Sequence, residues 1–261
     1  MFDIEKYQNN LSTQWLGHSL LYFETLGSTN TYLKKLPPGE VAHGQLCLTD
    51  HQIQGRGQYK RSWQVEDAQN LTFTLAFRPK SDAGRFHILT LACARAAIAQ
   101  IKACTGCEAH IKWPNDVLID GKKVAGLLTE TVFNGNELDR LLVGIGLNVN
   151  QESFGSELDL KATSLKQAKG QLIDREAFLS QFLSRIELEY LRWHKQDDAL
   201  LKGINKKIIG YGRWIHLRIN GQEHPGLFKL LGINQQGQLA VITREGDLKT
   251  FSYEQIRLIV D

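Results

Sequence analysis

The sequence predicts an α+β fold: a mixed β-sheet with helices on one face, followed by a small β-barrel. Apolar runs of strand length are separated by turn pairs such as Asp120-Gly121, which is typical of meandering strands. Two long stretches, 84–101 and 175–193, space their apolar residues by three and four, which indicates helices packed on the sheet. Short β runs alternate with turns towards the C-terminus, so we divide the chain into a larger domain, residues 1–203, and a small barrel, residues 204–261.

Length, charge and composition narrow the class of protein. A chain of 261 residues with a net charge of +3 gives no overall electrostatic reason to bind nucleic acid. Its four cysteines are too few for a disulfide scaffold, the N-terminus lacks a secretory signal pattern, and no apolar run reaches the ~18 residues of a membrane span. We therefore expect a cytoplasmic protein that binds neither DNA nor membranes.

Apolar runs and the turn residues between them predict the elements of the larger domain. Residues 1–18 indicate a short helix or an irregular lead-in, and Ser28 begins a helix that ends near Leu36, before Pro37. Asp174 is the predicted cap of the second long helix. The predicted strands are 20–26, 46–49, 71–77, 109–113, 117–119, 124–131 and 138–149.

Four short β runs with turn pairs between them predict the small antiparallel barrel. The runs cover residues 214–219, 227–233, 238–243 and 248–251. The turns are Asn220-Gly221, Gln236-Gly237 and Glu245-Gly246. Regular spacing of this kind indicates a small antiparallel barrel.

The stretch from Gly55 to Trp63 is the candidate ligand loop. It holds three cations, no acid and two glycines one residue apart. Glycine lets backbone N–H groups approach a ligand closely, and nearby Arg or Lys adds full positive charge. We interpret it as a mobile loop that orders around a carboxylate or phosphate; a solvated basic surface loop fits the residues equally well.

A lysine near a strand break is the second candidate. Pro114 breaks the strand before it, and Lys112 alternates with Ile111 and Trp113, so its side chain points to the opposite face. An ammonium there suits a carboxylate or phosphate, and an edge-strand lysine in water is the alternative. Asp116 is a candidate Mg²⁺ ligand, or part of a turn only.

Polar and small residues at other strand ends add weaker signals. Ser28-Thr29-Asn30 follows a strand directly and can either cap the next helix or present donors to a polar ligand. Gly126 lies within a predicted strand, which suggests close approach of a ligand or backbone. Asn148 ends another strand and carries both a donor and an acceptor, as the edge of a purine would require.

Two cysteines have a spacing that is compatible with metal binding. Cys104 and Cys107 form one C-x-x-C motif, and no second pair follows in the sequence. A single pair is weak support for a zinc or redox site. Gly106 between them more simply ends the preceding helix as a left-handed cap.

Five motifs, in this order along the chain, resemble those of the biotin protein ligases. They are Gly27-Ser28-Thr29-Asn30, Gly55-Arg56-Gly57 through Trp63, Lys112-Trp113-Pro114-Asn115-Asp116, Lys123-Val124-Ala125-Gly126 and Gly144-Ile145-Gly146-Leu147-Asn148. Each motif is weak alone, but five in the family's order over about residues 20–150 are a specific signal. The small C-terminal domain matches in kind and not by motif.

The resemblance implies a fold, a reaction and partners. The fold would be a class II synthetase-like sheet followed by an SH3-like barrel. Biotin and MgATP would give biotinyl-5′-AMP and pyrophosphate, and a lysine of a biotin carboxyl carrier protein would then attack the mixed anhydride. Only about 20 residues precede the first predicted strand, so we expect a form without the N-terminal DNA-binding domain of some members.

The family's site residues map onto this chain by position. Lys112 and Arg56 are implied as catalytic residues, which act mainly by positioning and electrostatic stabilisation. The implied biotin contacts are Ser28, Thr29, Asn30, Gln52, Arg56, Gly57, Gln58, Lys112 and Gly126. The implied ATP contacts are Arg56, Trp63, Lys112 and Asn148, and Asn148 would read adenine.

The loop departs from the family's usual Gly-Arg-Gly-Arg-x-Gly-Arg pattern. Gln58 stands at the second arginine and Lys60 at the later glycine. Because Gln58 carries no charge, we expect this protein to release bound biotinyl-AMP faster than its Gln58→Arg variant does. Timing the release of the labelled adenylate from both proteins checks this, and equal or slower release from the native loop contradicts it.

Two other functions fit parts of the pattern. A lipoate or octanoate ligase shares the superfamily's fold but lacks the pairing of Lys-Trp-Pro-Asn-Asp with Gly-Arg-Gly. A regulator that holds an adenylate without transferring it is disfavoured by the intact Lys112 and loop. The sequence leaves the oligomeric state open, including a homodimer through the sheet edge.

Overall fold

Two β-sheets and six helices make up the part of the chain that the structure describes. The computed structural model describes residues 1–57, 63, 68–79, 85–155, 158, 160–252 and 256–259. A seven-stranded mixed sheet is followed by a six-stranded antiparallel sheet. This arrangement confirms the predicted α+β fold class.

The larger sheet contains the first seven strands. They are β1 (Leu20–Leu26), β2 (Gln45–Gln52), β3 (Leu71–Phe77), β4 (Ala109–Lys112), β5 (Asp116–Ile119), β6 (Lys122–Asn134) and β7 (Glu137–Leu147). Their spatial order is β1-β2-β3-β7-β6-β5-β4. The β1–β2 pair is parallel and the other pairs are antiparallel, as expected where hairpin turns connect most strands.

Side-chain and glycine caps fix the helix ends that the sequence predicted. The helices are α1 (Ile4–Asn10), α2 (Thr29–Lys35), α3 (Phe86–Thr105), α4 (Leu165–Lys169), α5 (Arg175–His194) and α6 (Asp198–Asn205). The Ser28 side chain accepts from Thr31 N, and the Asp174 side chain accepts from Ala177 N. Gly106 ends α3 at φ 78°, so this helix runs four residues beyond its predicted end.

The core covers both faces of the larger sheet. Phe73 and Leu75 of β3 belong to a cluster with residues of α1, α3 and α5. The alternate side chains Cys47, Ala76 and Leu142 pack with α2 on the opposite face. Helix α3 is long and apolar enough to span a membrane, but 67% of that window is buried inside the protein, as in a core helix. Helices α1, α3 and α5 thus pack on one face of the larger sheet. Helix α2 packs on the opposite face, which we call the open face.

The second sheet begins after α6. Its strands are β8 (Trp214–Ile219), β9 (Gln222–Glu223), β10 (Phe228–Ile233), β11 (Leu239–Ile242), β12 (Leu248–Phe251) and β13 (Ile256–Ile259), in the order β12-β11-β10-β8-β13 with β9 beside β8. The four predicted β runs of this region are confirmed, while β9 and β13 were not predicted. Residue 203, the predicted domain boundary, lies within α6, and the division into two domains stays a prediction.

A buried ionic cluster ties the N-terminal segment to the sheet and to α5. The Asp50 carboxylate accepts hydrogen bonds from Phe2 N at 2.9 Å, Tyr22 Oη at 2.7 Å and Arg175 Nη1 at 2.8 Å. Burial pushes the pKa of Asp50 upwards, but the hydrogen bonds from Tyr22 and Arg175 outweigh burial and hold it below its usual value. Asp50 is therefore ionised at neutral pH. It lies in β2, two residues before Gln52.

Candidate functional site

A cavity of about 390 Å³ opens beside α2, on the open face of the larger sheet. Its volume falls within the ~300–1,000 Å³ that is usual for small-molecule sites. The sequence-predicted residues that line it are Ser28, Thr29, Asn30, Gln52, Arg56, Gly57, Trp63, Lys112, Asp116 and Gly126. Motifs that are up to about 100 residues apart in sequence thus meet in one place.

The start of α2 and the end of β2 form a polar edge of the cavity. Thr29 N donates to Gln52 Oε1 at 2.9 Å, and Thr29 Oγ1 lies 3.3 Å from the same oxygen. Ser28 caps the helix next to them. Three polar side chains are therefore held at a helix N-terminus, where hydrogen-bond acceptors of a ligand are favoured.

Asn30 lines the cavity, but its amide is already used within the protein. Its Nδ2 donates to Leu128 O at 3.3 Å and to Glu130 Oε2 at 3.0 Å, and its Oδ1 accepts from Thr74 Oγ1 at 2.5 Å. An Asn amide has two N–H donors, and both have partners here. A ligand would have to displace one of them, so the geometry favours a supporting role for Asn30 over the predicted biotin contact.

Glycines in β7 make room for site side chains. A Cβ at Gly144 would lie under 3.0 Å from Asn30 Oδ1, and one at Gly146 under 3.0 Å from the Trp63 indole. A Cβ at Gly126 would lie 3.3 Å from the same indole. Close approach was predicted for Gly126, and the groups that approach all three glycines are protein side chains.

We expect Gly144→Ala to destabilise the protein by about 1–3 kcal/mol, because overpacking forces Asn30 out of its hydrogen bonds. Thermal or urea unfolding measures the change. Gly27→Ala is the matched control, since a Cβ there meets its nearest atom, Gln54 Oε1, at an ordinary 3.6 Å. Equal stability of the two variants would contradict the close packing at Gly144.

The lining of the cavity is strongly cationic. Five cations and one carboxylate line it among the described residues: Arg56, Lys112, Lys123, Arg218, Arg257 and Asp116. Lys112 is exposed while its strand neighbour Ile111 is buried, as the predicted alternation requires. Within the described part of the chain, Lys112 and Arg218 form no ion pair. The wall therefore suits an anionic ligand.

Two of these arginines come from the second sheet and were missed by sequence reasoning. Arg218 of β8 and Arg257 of β13 are paired in register, and both line the cavity. Like charges directly opposite each other in a sheet are unfavourable; Glu223, which is opposite Arg218 on β9, and a bound anion would both offset this. The alternating run from Ile256 to Ile259 was a readable strand signal that would have pointed to Arg257.

Two predicted site residues are already engaged by other parts of the protein. Asn148 does not line the cavity, and its Nδ2 donates to Thr163 O at 3.0 Å, so its adenine contact stays a prediction. Asp116 lines the cavity, but Lys123 Nζ lies 2.6 Å from its Oδ1. Gln58 lies outside the described residues, as does most of the basic loop. Among the described residues, no three or more His, Cys, Asp or Glu side chains are grouped so that they could hold a metal ion, and Cys104 and Cys107 belong to no such group.

Glu130 of β6 is a further site residue that the sequence did not reveal. Its carboxylate accepts from Asn30 Nδ2 at 3.0 Å, Lys34 Nζ at 3.0 Å and Arg56 Nη2 at 3.1 Å. Burial raises the pKa of Glu130, but the hydrogen bonds from Asn30 and Lys34 and the charge of Arg56 outweigh it, so the net pKa is lowered. Glu130 is therefore a fixed negative charge just behind the cavity wall.

Comparison with known sequences points to one family. Residues 22–148 match the biotin/lipoate A/B protein ligase family. The bifunctional ligase/repressor BirA of Bacillus subtilis strain 168 is 34% identical over 246 residues, which cover 93% of this chain and 75% of BirA. The biotin–acetyl-CoA-carboxylase ligase of Paracoccus denitrificans is 32% identical over 222 residues, which cover 81% of this chain and 89% of that ligase.

Solved structures extend the likeness to both sheets. The biotin protein ligase from Aquifex aeolicus in complex with biotin and ATP superposes with a TM-score of 0.80 at 28% identity. The match covers 94% of this chain and 100% of the Aquifex chain. With sequence, fold and cavity in agreement, this chain belongs to the biotin protein ligases of the biotin/lipoate A/B protein ligase family.

Proposed function

We propose that this protein is an ATP-dependent biotin protein ligase that attaches biotin to a lysine of a biotin carboxyl carrier protein. The observation that carries the proposal is the cavity itself, which has a polar edge at α2 and a cationic wall at Lys112 and Arg218. Relatives named as biotin ligases share both the sequence and the fold. Biotin and the phosphates of ATP are the ligands whose chemistry fits the two ends.

Biotin lies along the cavity with its two ends recognised differently. Its ureido ring carries N–H donors and a carbonyl acceptor, which match Ser28, Thr29 and Gln52 at the polar edge. Its carboxylate then points towards Lys112, whose ammonium is a compact point charge. The orientation brings the reacting carboxylate to the cationic wall.

In the first step a biotin carboxylate oxygen attacks the α-phosphorus of ATP. The new P–O bond forms as the bond to the β-phosphate oxygen breaks, and pyrophosphate leaves. Lys112 stabilises the charge that develops on the phosphoryl oxygens, because preorganised positive groups act most strongly in a water-poor site. In the second step the lysine amine of the carrier attacks the carbonyl carbon, AMP leaves, and the amine loses a proton.

Arg218 and Arg257 are the proposed contacts of the ATP phosphates. We expect Arg218→Ala and Arg257→Ala each to raise the KM for ATP about tenfold, the loss of one charge-assisted hydrogen bond, and to leave the KM for biotin unchanged. Steady-state kinetics with each substrate varied in turn measures this. Arg213→Ala is the control, because Arg213 is exposed and does not line the cavity. Unchanged ATP kinetics in both variants would remove the assignment.

Mg²⁺ is part of the proposal only as a companion of ATP. Asp116 is the one carboxylate among the described lining residues, and it is bound by Lys123 at 2.6 Å. It does not fit a protein-built metal site in this arrangement. Mg²⁺ can instead be held mainly by phosphate oxygens and waters, and no catalytic step here is assigned to it.

One experiment tests the function and its alternatives. The protein is incubated with labelled biotin, ATP and a biotin acceptor domain, and label on the acceptor lysine is measured. We expect transfer with biotin and none with lipoate or octanoate. Label only on lipoate or octanoate would favour the other ligases of the superfamily. Tight binding of biotinyl-AMP without transfer would favour an adenylate-binding regulator.

A further inference from the structure

The Glu130 carboxylate joins three separate segments of the protein. Its Oε2 is shared by Asn30 and Arg56, and its Oε1 accepts from Lys34. Asn30 and Lys34 belong to α2, and Arg56 stands at the start of the basic loop. The Glu130 side chain is only 16% exposed, whereas that of Arg56 is 47% exposed. The carboxylate is therefore the rigid partner of the two.

The strand that carries Glu130 holds its backbone in place. Strand β6 pairs with β7 along most of its length, and Glu130 faces Leu142 in that ladder. On the other side, backbone bonds hold the base of the loop: Gln54 N donates to Gly27 O at 2.8 Å, and Trp63 N donates to Gly55 O at 2.9 Å. The Arg56 side chain thus connects a fixed strand to the loop base.

Glu130 itself does not line the cavity, although Asn30, Arg56 and Gly57 do. It can act on a ligand only through these neighbours. The guanidinium of Arg56 is paired at 3.1 Å with Glu130, a carboxylate that it shares with Lys34. Lys112 and Arg218, in contrast, have no carboxylate partner within the described residues. The cations of the site thus fall into two groups, one already paired and one available to an anion.

We propose that Glu130 is a positioning residue for biotin binding, which clamps Arg56 and the backbone of residues 55–57 against α2. In this arrangement the Arg56 side chain shapes the biotin edge of the cavity, and the phosphate charge is met by Lys112 and Arg218. The clamp rests on the proposed function. It revises the catalytic role that the family resemblance implies for the Arg56 guanidinium.

A double-mutant cycle tests the clamp. Arg56→Ala, Glu130→Ala and the double variant are compared by their KM for biotin, their kcat, and biotin affinity from calorimetry. We expect each single variant to raise the KM for biotin about tenfold, the loss of one charge-assisted bond, with kcat changed less than about twofold. The double variant should be no worse than either single variant, because both remove the same contact.

Lys34→Ala is the matched control. It removes the other cation on the same carboxylate, and Lys34 is absent from the cavity lining. We expect its KM for biotin to be unchanged. Should Glu130→Ala lower the melting temperature, Glu130→Gln keeps the size and one acceptor oxygen, and it should still raise the KM for biotin without lowering kcat.

Two results would overturn the clamp. One is an additive effect of the two substitutions, since it would mean that Glu130 and Arg56 act separately. The other is a large fall in kcat for Arg56→Ala alone at saturating biotin, since it would place the guanidinium on the phosphates. Both are measured in an active enzyme, so they are distinct from failure of the proposed function, in which the unmodified protein transfers no biotin.

Discussion

Lys112→Ala is expected to reduce biotinyl-5′-AMP formation by at least about 10²-fold to 10³-fold, the usual effect of removing one preorganised group that stabilises transition-state charge. Lys112 is exposed at the cavity and has no ion pair in the described part of the chain, so its loss leaves no partner unsatisfied. The fold should therefore be unchanged. Pyrophosphate release measures the first step, and circular dichroism with thermal unfolding checks the fold.

The control for Lys112 lies on the same strand. His110 points to the same face of β4 two residues earlier, is exposed, and does not line the cavity. We expect His110→Ala to form the adenylate at the normal rate. Normal turnover by Lys112→Ala would show that Lys112 is a surface lysine without a catalytic role.

Asp50→Ala is expected to destabilise the protein by about 3–5 kcal/mol, because breaking a buried ion pair leaves Arg175 with an uncompensated charge. Arg175 would keep its bond to Asn70 O at 3.0 Å, and Phe2 N and Tyr22 would lose their acceptor. Urea unfolding measures the loss. Because Asp50 shares β2 with Gln52, weaker biotin binding should accompany it.

The surface ion pair Lys6–Asp174 is the control for the buried pair Asp50–Arg175, because Asp174 and Arg175 are adjacent at the start of α5. Its atoms are 2.7 Å apart, yet both side chains are more than 40% exposed. We expect Lys6→Ala to destabilise the protein far less than Asp50→Ala does, since exposed pairs are screened by water. Similar losses in Lys6→Ala and Asp50→Ala would contradict the special weight given to the buried cluster.

The same cluster gives stability a defined dependence on pH. The pKa of Asp50 is lower in the folded chain than its ordinary value of 3.8. Its contribution is therefore complete above that ordinary value and is lost as the pH falls through the folded pKa, where the carboxylate takes up a proton. The free energy of unfolding should consequently fall less with decreasing pH in Asp50→Ala than in the unmodified protein. Chemical denaturation at a series of pH values between about 2 and 6 measures this.

Local patterns predicted the bounds of two strands of the larger sheet. Strands β1 and β3 begin and end where the sequence predicted, although β3 is buried at every position and β1 is half-buried or exposed along its length. Strand β2 runs on to Gln52, past its predicted end, since Asp50 and Gln52 find partners in distant segments. Helix α4 was missed although Ser164 and Gln167 form a capping box.

The site was predictable where one motif supplies the chemistry. Ser28, Thr29 and Lys112 lie at the cavity because a strand end or a strand alternation places them there. Glu130 was not predictable, because its partner Arg56 is 74 residues away and its neighbours in sequence are ordinary strand residues. Arg218 was missed for a similar reason: its role depends on how the second sheet packs beside the first.

If ATP binds as proposed, nucleotide occupancy and attachment of the C-terminal sheet are thermodynamically linked. Lys112 belongs to one sheet and Arg218 to the other, so a phosphate group held by both acts as a tether between them. A ligand at about 100 times its dissociation constant stabilises the conformation that binds it by roughly 2.7 kcal/mol relative to conformations that do not. ATP would therefore fasten the C-terminal sheet in place, and release of the products would loosen it again.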